Sequence, residues 1–303
     1  GWWNDFIGPG RPLDTDRYYI VCANVLGGCQ GTTGPASINP RTGDLYGVEF
    51  PVVTIRDVVR SQRALGLALG VDRWLTVVGG SMGGMQALEW AVTYPDRLAG
   101  LVVIASTAAA STQQIAWSQV GRQAIVDDPG WHGGRYYGRE PGDGPHLGLA
   151  NARRIAMIHY RSDEEFERRF GRNSNGDGEP FRSNHQFDVE GYLDYQGEKI
   201  QHRFDANTYI VLNRMMDLHD LGRGRGGIER ALQRVRVPTQ IMSVRTDFLY
   251  PRHQQLRIVE ALRDRVPVEH IDIDSDNGHD GFLTEPEQTG RPMADFVDRL
   301  AKG

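Results

Sequence analysis

The 303 residues are enough for one large α/β core with an insertion. Hydrophobic residues make up 39% of the sequence and charged residues 24%, which is the balance of an ordinary globular protein. A net charge of -5 argues against a nucleic-acid-binding protein, which would carry a basic patch. The longest apolar run, 101–105, is far too short to span a membrane.

The first 110 residues are predicted to alternate between strands and helices. In chain order we predict a strand at 18–23, a loop at 27–40, a helix from Thr54 to about 69, a strand at 75–78, a helix at 82–93 and a strand at 101–105. The last strand is almost continuously apolar, which is typical of a parallel strand covered on both faces.

The middle of the chain has a different pattern. Amphipathic stretches at 113–126, 149–160, 163–170 and 207–218 are separated by polar, Gly-rich loops at 130–144 and 173–178. We predict a helical insertion over 111–235, lying above the carboxyl edge of the sheet.

The alternation of strands and helices resumes after the insertion. We predict a strand at 239–244, a helix at 252–262, a strand at 268–273 and a helix at 286–300. Residues 1–110 and 236–303 would then form one α/β core with a mostly parallel, doubly wound sheet and right-handed crossovers.

The strongest chemical signal is Gly-Gly-Ser-Met-Gly-Gly at 79–84, which fits the G-x-S-x-G nucleophile elbow of α/β-hydrolases. A predicted strand precedes it and a predicted helix follows, so the turn would lift the Ser81 hydroxyl above the sheet edge. The amide of Met82 would stabilise an oxyanion there. A Gly-rich turn of purely structural use is the alternative.

A serine nucleophile needs a general base and an acid that orients the base. In this fold the chain order is serine, acid, histidine. His279 follows the last strand in a Gly-flanked loop, and Asp247 follows the strand before it. Other carboxylates near the last strand are rivals for the acid, although a structural role is favoured for them: Asp272, Asp274 and Asp276.

No motif indicates a metal or a dinucleotide. Cys22 and Cys29 lack ordered histidine neighbours, and no glycine fingerprint opens a helix. Two cysteines are too few for a disulfide-stapled secreted domain and no signal peptide is visible, so we expect reduced thiols in a cytoplasmic protein. The chain begins Gly1-Trp2-Trp3 without an initiator Met, and we expect further residues upstream.

Four segments together resemble the homoserine O-acetyltransferases, which have the α/β-hydrolase fold. The likeness covers nearly the whole chain, and its specific motifs are at 24–35, 78–84, 203–207 and 278–283. It implies transfer of an acetyl group from acetyl-CoA, as co-substrate, to L-homoserine in methionine biosynthesis. Transfer would be ping-pong through acetyl-Ser81, with no permanently bound cofactor.

The resemblance also implies roles for residues outside the triad. Arg153, in the insertion, would bind the substrate carboxylate, since a guanidinium matches it bidentately; the neighbouring Arg154 would be a surface residue. Asp280 would bind the substrate ammonium group. The insertion would form a lid and the interface of a homodimer, with the site in a deep tunnel.

Two features depart from that family. Its second oxyanion donor comes from an early His-Ala-Leu-Thr loop, which is absent from these 303 residues and which we expect on an upstream segment. The stretch Ala-Met-Ile-His-Tyr at 156–160 differs from the usual Ala-His-x-Thr-Tyr.

Three other functions stay open on the sequence. One is a serine esterase of the same fold, in which water is the acceptor. Another is a relative that uses succinyl-CoA, or serine in place of homoserine. The third is a non-catalytic binding protein on a hydrolase scaffold, against which an intact triad argues.

Overall fold

The computed structural model describes residues 2–140, 142–174 and 186–303. Within them the strands are β1 (Ile7–Gly8), β2 (Leu13–Asp14), β3 (Val77–Gly80), β4 (Leu101–Ile104), β5 (Thr239–Val244) and β6 (Val268–Ile273). The helices are α1 (Ile55–Ala68), α2 (Met82–Thr93), α3 (Thr112–Val126), α4 (His146–Tyr160), α5 (Asp163–Arg169), α6 (Asp188–Gln201), α7 (Ala206–Asp217), α8 (Ile228–Leu232), α9 (Arg252–Leu262), α10 (Gly281–Thr284) and α11 (Pro286–Lys302). Short 3-10 helices lie at Gly47–Glu49, Pro129–Gly134 and Gly278–Asp280.

The main sheet consists of four parallel strands in the order β3-β4-β5-β6. Because all four strands run in the same direction, their carboxyl ends meet at one edge, where α/β folds place their sites. Strands β1 and β2 form a separate two-stranded pair. The predicted parallel α/β core is confirmed.

Strand β4 shows why its sequence is continuously apolar. Leu101 and Val103 contribute to one apolar cluster, together with residues of α2 and α9. Val102 and Ile104 contribute to a second cluster, together with residues of α11. Successive side chains of a strand point to opposite faces, so a sheet covered by helices on both faces requires apolar residues at every position.

The chain forms two compact units. The first contains the residues up to Ala23, Thr54–Ala110 and Leu218–Gly303; the second contains Asn24–Val53 and the described part of Ser111–Asp217. The sheet and the clusters around β4 lie in the first unit. None of the helices in the described ranges is long and apolar enough to cross a membrane.

These units correct the predicted boundaries of 111–235 for the insertion and 1–110 for the core. The second unit ends at Asp217, because the segment after it is held in the core: Leu221 and Leu232 are fully buried in the apolar cluster on the α2 side of the sheet. Asn24–Val53 belongs to the second unit, where the backbone N–H of Asp205 donates to Cys29 Sγ at 3.4 Å.

Two signature segments, 24–35 and 203–207, are therefore neighbours in the second unit. The carboxylate of Asp205 accepts hydrogen bonds from the Tyr136 and Tyr137 hydroxyls and from the Thr208 backbone N–H. Burial and the adjacent Asp205 charge raise the pKa of both tyrosines, so the hydroxyls stay protonated and act as donors. Asp205 therefore has a structural role in this unit.

Most predicted helices and strands are present, with ends shifted by a few residues. The strand predicted at 18–23 is wrong: no strand is assigned there, although Tyr18 and Ile20 contact an apolar cluster. A half-buried segment can have the sequence pattern of a strand without a neighbour to pair with. Helix α6 was not predicted. The predicted loop at 173–178 lies mostly outside the described residues, and the loop at 130–144 begins as a 3-10 helix.

His219 is a buried titratable group in the first unit. It is 5% exposed, and its Nε2 donates to the Thr107 carbonyl at 3.2 Å. Burial lowers its pKa to about 4, against smaller opposing effects of Glu89 and Asp220, while Arg56 lowers it further. His219 is therefore neutral in the folded protein at neutral pH.

We expect this histidine to make folding weaken in mild acid. The unfolded chain binds a proton near pH 6.5, whereas the folded chain resists protonation down to about pH 4, so stability falls as the pH drops across that window. The full loss is about 3 kcal/mol, from the shift of the pKa. Urea unfolding of wild type and of His219→Gln at pH 7 and pH 5 should capture about 2 kcal/mol of that loss. Equal pH dependence in both proteins would contradict the expectation.

Candidate active site

Ser81 lies on a strained turn between β3 and α2. Its backbone has φ 56° and ψ -125°, a conformation that L-residues rarely adopt outside functional sites. The turn needs glycine on both sides of Ser81 because neighbouring atoms approach closely: a Cβ on Gly79 would lie 2.0 Å from the Gly83 oxygen, and one on Gly84 would lie 2.4 Å from the Ser106 Cβ. Gly83, which completes the sequence pattern, has open space around it.

The backbone of Ser81 is held on both sides. Its N–H donates to the Ile104 carbonyl at 2.9 Å, and its carbonyl accepts from the Ser106 hydroxyl at 2.7 Å. Both partners lie at the carboxyl end of β4 or directly after it. Hydrogen bonds to the neighbouring strand therefore hold the strained turn in place and fix the direction of the Ser81 side chain.

The structure brings the three predicted triad residues together. His279 Nε2 lies 2.8 Å from Ser81 Oγ, and His279 Nδ1 lies 2.7 Å from Asp247 Oδ2. A carboxylate can only accept, so Nδ1 carries the proton and Nε2 is left to accept from the serine hydroxyl. The three side chains form a continuous chain of hydrogen bonds within the first unit.

Asp247 is fixed by its own loop. It is 4% exposed, and its Oδ1 accepts from the backbone N–H groups of Leu249 and Tyr250, each at 2.9 Å. The other oxygen is thereby directed at His279. Two backbone donors thus satisfy one oxygen of this buried carboxylate.

The rival carboxylates have other partners. Asp272 pairs with Arg252 and accepts from the Ser243 hydroxyl at 2.6 Å, while Asp274 and Asp276 both pair with Arg245. All three face arginines rather than the ring of His279. Asp247, by contrast, contacts the His279 ring, with its Oδ2 2.7 Å from Nδ1.

The environment of His279 determines its basicity. Tyr250 and Phe282 lie beside its ring, with centroids at 5.2 and 5.7 Å, and only 5% of the residue is exposed. Burial by itself lowers the pKa of His279, but the charge and hydrogen bond of Asp247, with help from Asp280, outweigh burial and raise the pKa above its usual value. The ring is a stronger base than a free imidazole.

Three predicted site residues lie outside the triad: Met82, Asp280 and Arg153. Met82 is the first residue of α2, so its N–H has no acceptor within the helix, and Asp280 is half-buried directly after His279. Arg153 lies on α4 of the second unit; its Nε is buried without a hydrogen-bond partner among the described residues. Arg154 also has a buried Nε without a partner there, but its guanidinium pairs with Asp194 at 2.9 Å.

The sequence analysis missed residues that contact the triad or the backbone beside it: Ser106, Thr246 and Tyr250. Thr246 and Tyr250 flank Asp247, but no spacing rule marks them, and Ser106 follows a different strand. Only the packing of adjacent loops identifies them. Among the described residues no group of three or more His, Cys, Asp or Glu side chains is placed to hold a metal ion.

A serine hydroxyl hydrogen-bonded to a histidine that a buried carboxylate orients can perform acyl transfer or ester hydrolysis. A family model of the α/β-hydrolase fold matches residues 1–286. The homoserine O-acetyltransferase of Symbiobacterium thermophilum is 50% identical over 99% of this chain and 78% of its own length. The chain belongs to the homoserine O-acetyltransferase family. The resemblance inferred from its motifs is thus confirmed.

Other members and neighbours of this family differ in the reaction they are named for. The homoserine O-succinyltransferase of Alkalilimnicola ehrlichii is 46% identical over 93% of this chain and 74% of its own length. The crystal structure of the Bacillus anthracis homoserine O-acetyltransferase matches with a TM-score of 0.88 at 29% identity, covering 98% of this chain and 81% of that one. Esterase E22 matches with a TM-score of 0.85 at 27% identity, covering 98% and 82%.

Proposed function

We propose that this protein transfers an acetyl group from acetyl-CoA to the side-chain hydroxyl of L-homoserine. The observation that carries the proposal is the 2.8 Å contact of Ser81 Oγ with His279 Nε2, in a chain that is 50% identical to a homoserine O-acetyltransferase. The product, O-acetyl-L-homoserine, would enter methionine synthesis.

The first half-reaction acylates Ser81. His279 Nε2 takes the hydroxyl proton while Ser81 Oγ attacks the thioester carbonyl, and the Met82 N–H donates to the resulting oxyanion. The tetrahedral intermediate collapses, the carbon–sulfur bond breaks, and the thiolate of CoA takes the proton from His279. Acetyl-Ser81 remains.

The second half-reaction reverses these proton movements. His279 accepts the proton of the homoserine hydroxyl, the alkoxide attacks acetyl-Ser81, and the Ser81 oxygen leaves with the proton from His279. Arg153 binds the substrate carboxylate and Asp280 binds its ammonium group. Among the described residues Arg153 forms no ion pair, whereas Arg154 pairs with Asp194, and this difference supports the first assignment.

Replacing Arg153 with Ala should impair the use of homoserine far more than the acylation of Ser81. Losing one charge-assisted contact should lower kcat/KM for homoserine by roughly 100-fold, or about 3 kcal/mol. Stopped-flow assays of each half-reaction measure it. Arg154→Ala is the matched control and should stay within a few-fold of wild type, because Arg154 already has a carboxylate partner. Equal losses in both half-reactions would contradict the assigned role of Arg153.

We further propose that the second unit forms a homodimer interface. Apolar side chains on its helices are solvent-exposed in the single chain: Val120 is 55% exposed, Leu147 72% and Ile158 48%. Leu147 and Ile158 lie three turns apart on the same side of α4. We expect sedimentation equilibrium to give a dimer, and Leu147→Glu with Ile158→Glu to shift it to monomer. A wild-type monomer would contradict the proposal.

The alternatives differ in donor and acceptor. The relative named homoserine O-succinyltransferase suggests succinyl-CoA as an alternative acyl donor. The similar esterase structure suggests water as an alternative acceptor. A substrate panel separates them: acetyl-CoA and succinyl-CoA, each with homoserine, serine or water, assayed by free CoA and by mass spectrometry of the product. Acetyl-homoserine formed faster than free acetate supports the proposal. Acetate alone would establish an esterase, and faster succinyl transfer would change the donor.

A further inference from the structure

Asp247 and His279 lie in two loops that follow adjacent strands of the sheet. Asp247 lies in the acid loop, which we define as Arg245–Tyr250, and His279 lies in the histidine loop, Asp274–Asp280. Strands β5 and β6 end at Val244 and Ile273, so their ladder stops before either side chain. Other contacts must set the distance between the two loops.

The Thr246 hydroxyl makes two such contacts. It donates to the Ser275 carbonyl at 2.8 Å and accepts from the Gly278 N–H at 3.0 Å. Gly278 is buried and directly precedes His279, and its φ of 60° is one that favours glycine. The side chain next to Asp247 thus fixes the backbone next to His279.

A second connection between the same loops is exposed. The Arg245 guanidinium pairs with Asp274 and Asp276, and half of its side chain is in solvent. Exposed ion pairs contribute little to holding a structure, whereas a buried N–H that loses its acceptor is costly. Of the two connections, the hydroxyl is the one that should control geometry.

We propose that Thr246 is a positioning residue that aligns His279 between Asp247 and Ser81 by tying the acid loop to the histidine loop. This role rests on one part of the proposed function, namely that the triad carries out the reaction. It holds whether the acceptor is homoserine or water. Both a donor and an acceptor are needed at one atom, which a hydroxyl supplies and an isosteric valine does not.

The test compares wild type with Thr246→Val, Thr246→Ser and Arg245→Met. We measure kcat and KM for acetyl-CoA with homoserine, the acylation rate with p-nitrophenyl acetate, and the far-downfield proton resonance of the His279 Nδ1–H bonded to Asp247. Thr246→Val should lower kcat about 10- to 100-fold with little change in KM, because a small misalignment of reacting groups has that effect. It should also lose the resonance.

The other variants decide whether the hydroxyl is responsible. Thr246→Ser retains the hydroxyl and should restore the resonance and kcat to within about threefold of wild type, as should Arg245→Met. Thermal unfolding shows whether each variant is folded; if the valine variant is not, Thr246→Ala carries the same test. A Thr246→Val or Thr246→Ala protein with unchanged kcat and resonance would overturn the proposal, and so would an equal loss in Arg245→Met. If homoserine is not an acceptor, the resonance and the acylation rate still test Thr246.

Discussion

Replacing Ser81 with Ala should abolish the acyl-enzyme and lower kcat by about 10⁴-fold or more. Alanine removes the hydroxyl oxygen that lies 2.8 Å from His279 Nε2, so no covalent intermediate can form on this residue. Intact-protein mass spectrometry after mixing with acetyl-CoA, without homoserine, measures the adduct directly. The fold should survive, because the hydrogen bonds that hold the turn use the Ser81 backbone.

The chain contains a matched control for this experiment. Ser243 also contacts a histidine and an aspartate, with its Oγ 2.8 Å from His270 Nε2 and 2.6 Å from Asp272 Oδ1. It is fully buried on β5 and cannot meet a substrate. Ser243→Ala should therefore retain the adduct. An adduct that persists in Ser81→Ala but is lost in Ser243→Ala would place the nucleophile elsewhere.

Replacing Asp247 with Asn should lower kcat by about 10⁴-fold while the structure is retained. Two backbone N–H groups donate to Oδ1, so the oxygen of the amide must stay there and its NH2 must face His279 Nδ1. That ring nitrogen then has to accept, the proton moves to Nε2, and no base remains for Ser81. The serine hydroxyl stays protonated.

The pH profile adds a second measurement for Asp247→Asn. Without the carboxylate, burial is the main influence on His279 and lowers its pKa, so the acid limb of residual kcat/KM should move to lower pH. Asp272→Asn is the control, since Asp272 lies beside His270 and Arg252, and it should change neither kcat nor the profile. If kcat fell strongly in Asp272→Asn but little in Asp247→Asn, the assignment of Asp247 as the acid would be wrong.

The local pattern was enough to predict most of the fold. Strand β4 is apolar at every position because helices cover both faces of the sheet, and that demand is visible in the sequence. Thr54 caps α1 with the reciprocal bonds of a capping box, which its place before the helix made predictable. The strand predicted at 18–23 was wrong because pairing depends on a neighbour that a local pattern does not contain.

The nucleophile, base and acid could be named from the sequence, because a parallel sheet brings the carboxyl ends of its strands to one edge. Their order along the chain reflects that topology. Within the motif at 79–84, only the structure shows that the close approaches are at Gly79 and Gly84 and that Gly83 has open space around it.

What the sequence determined by itself was the alternation of strands and helices, the family, and three side chains at one sheet edge. Tertiary structure decided which carboxylate faces the ring, where the two units divide, and how the loops of Asp247 and His279 are joined through Thr246. The physical reason is the distance along the chain over which each kind of interaction acts. Backbone periodicity and turn chemistry act over a few residues, whereas hydrogen-bond partners such as Thr246 and Gly278 come from loops that are adjacent only after the sheet has formed.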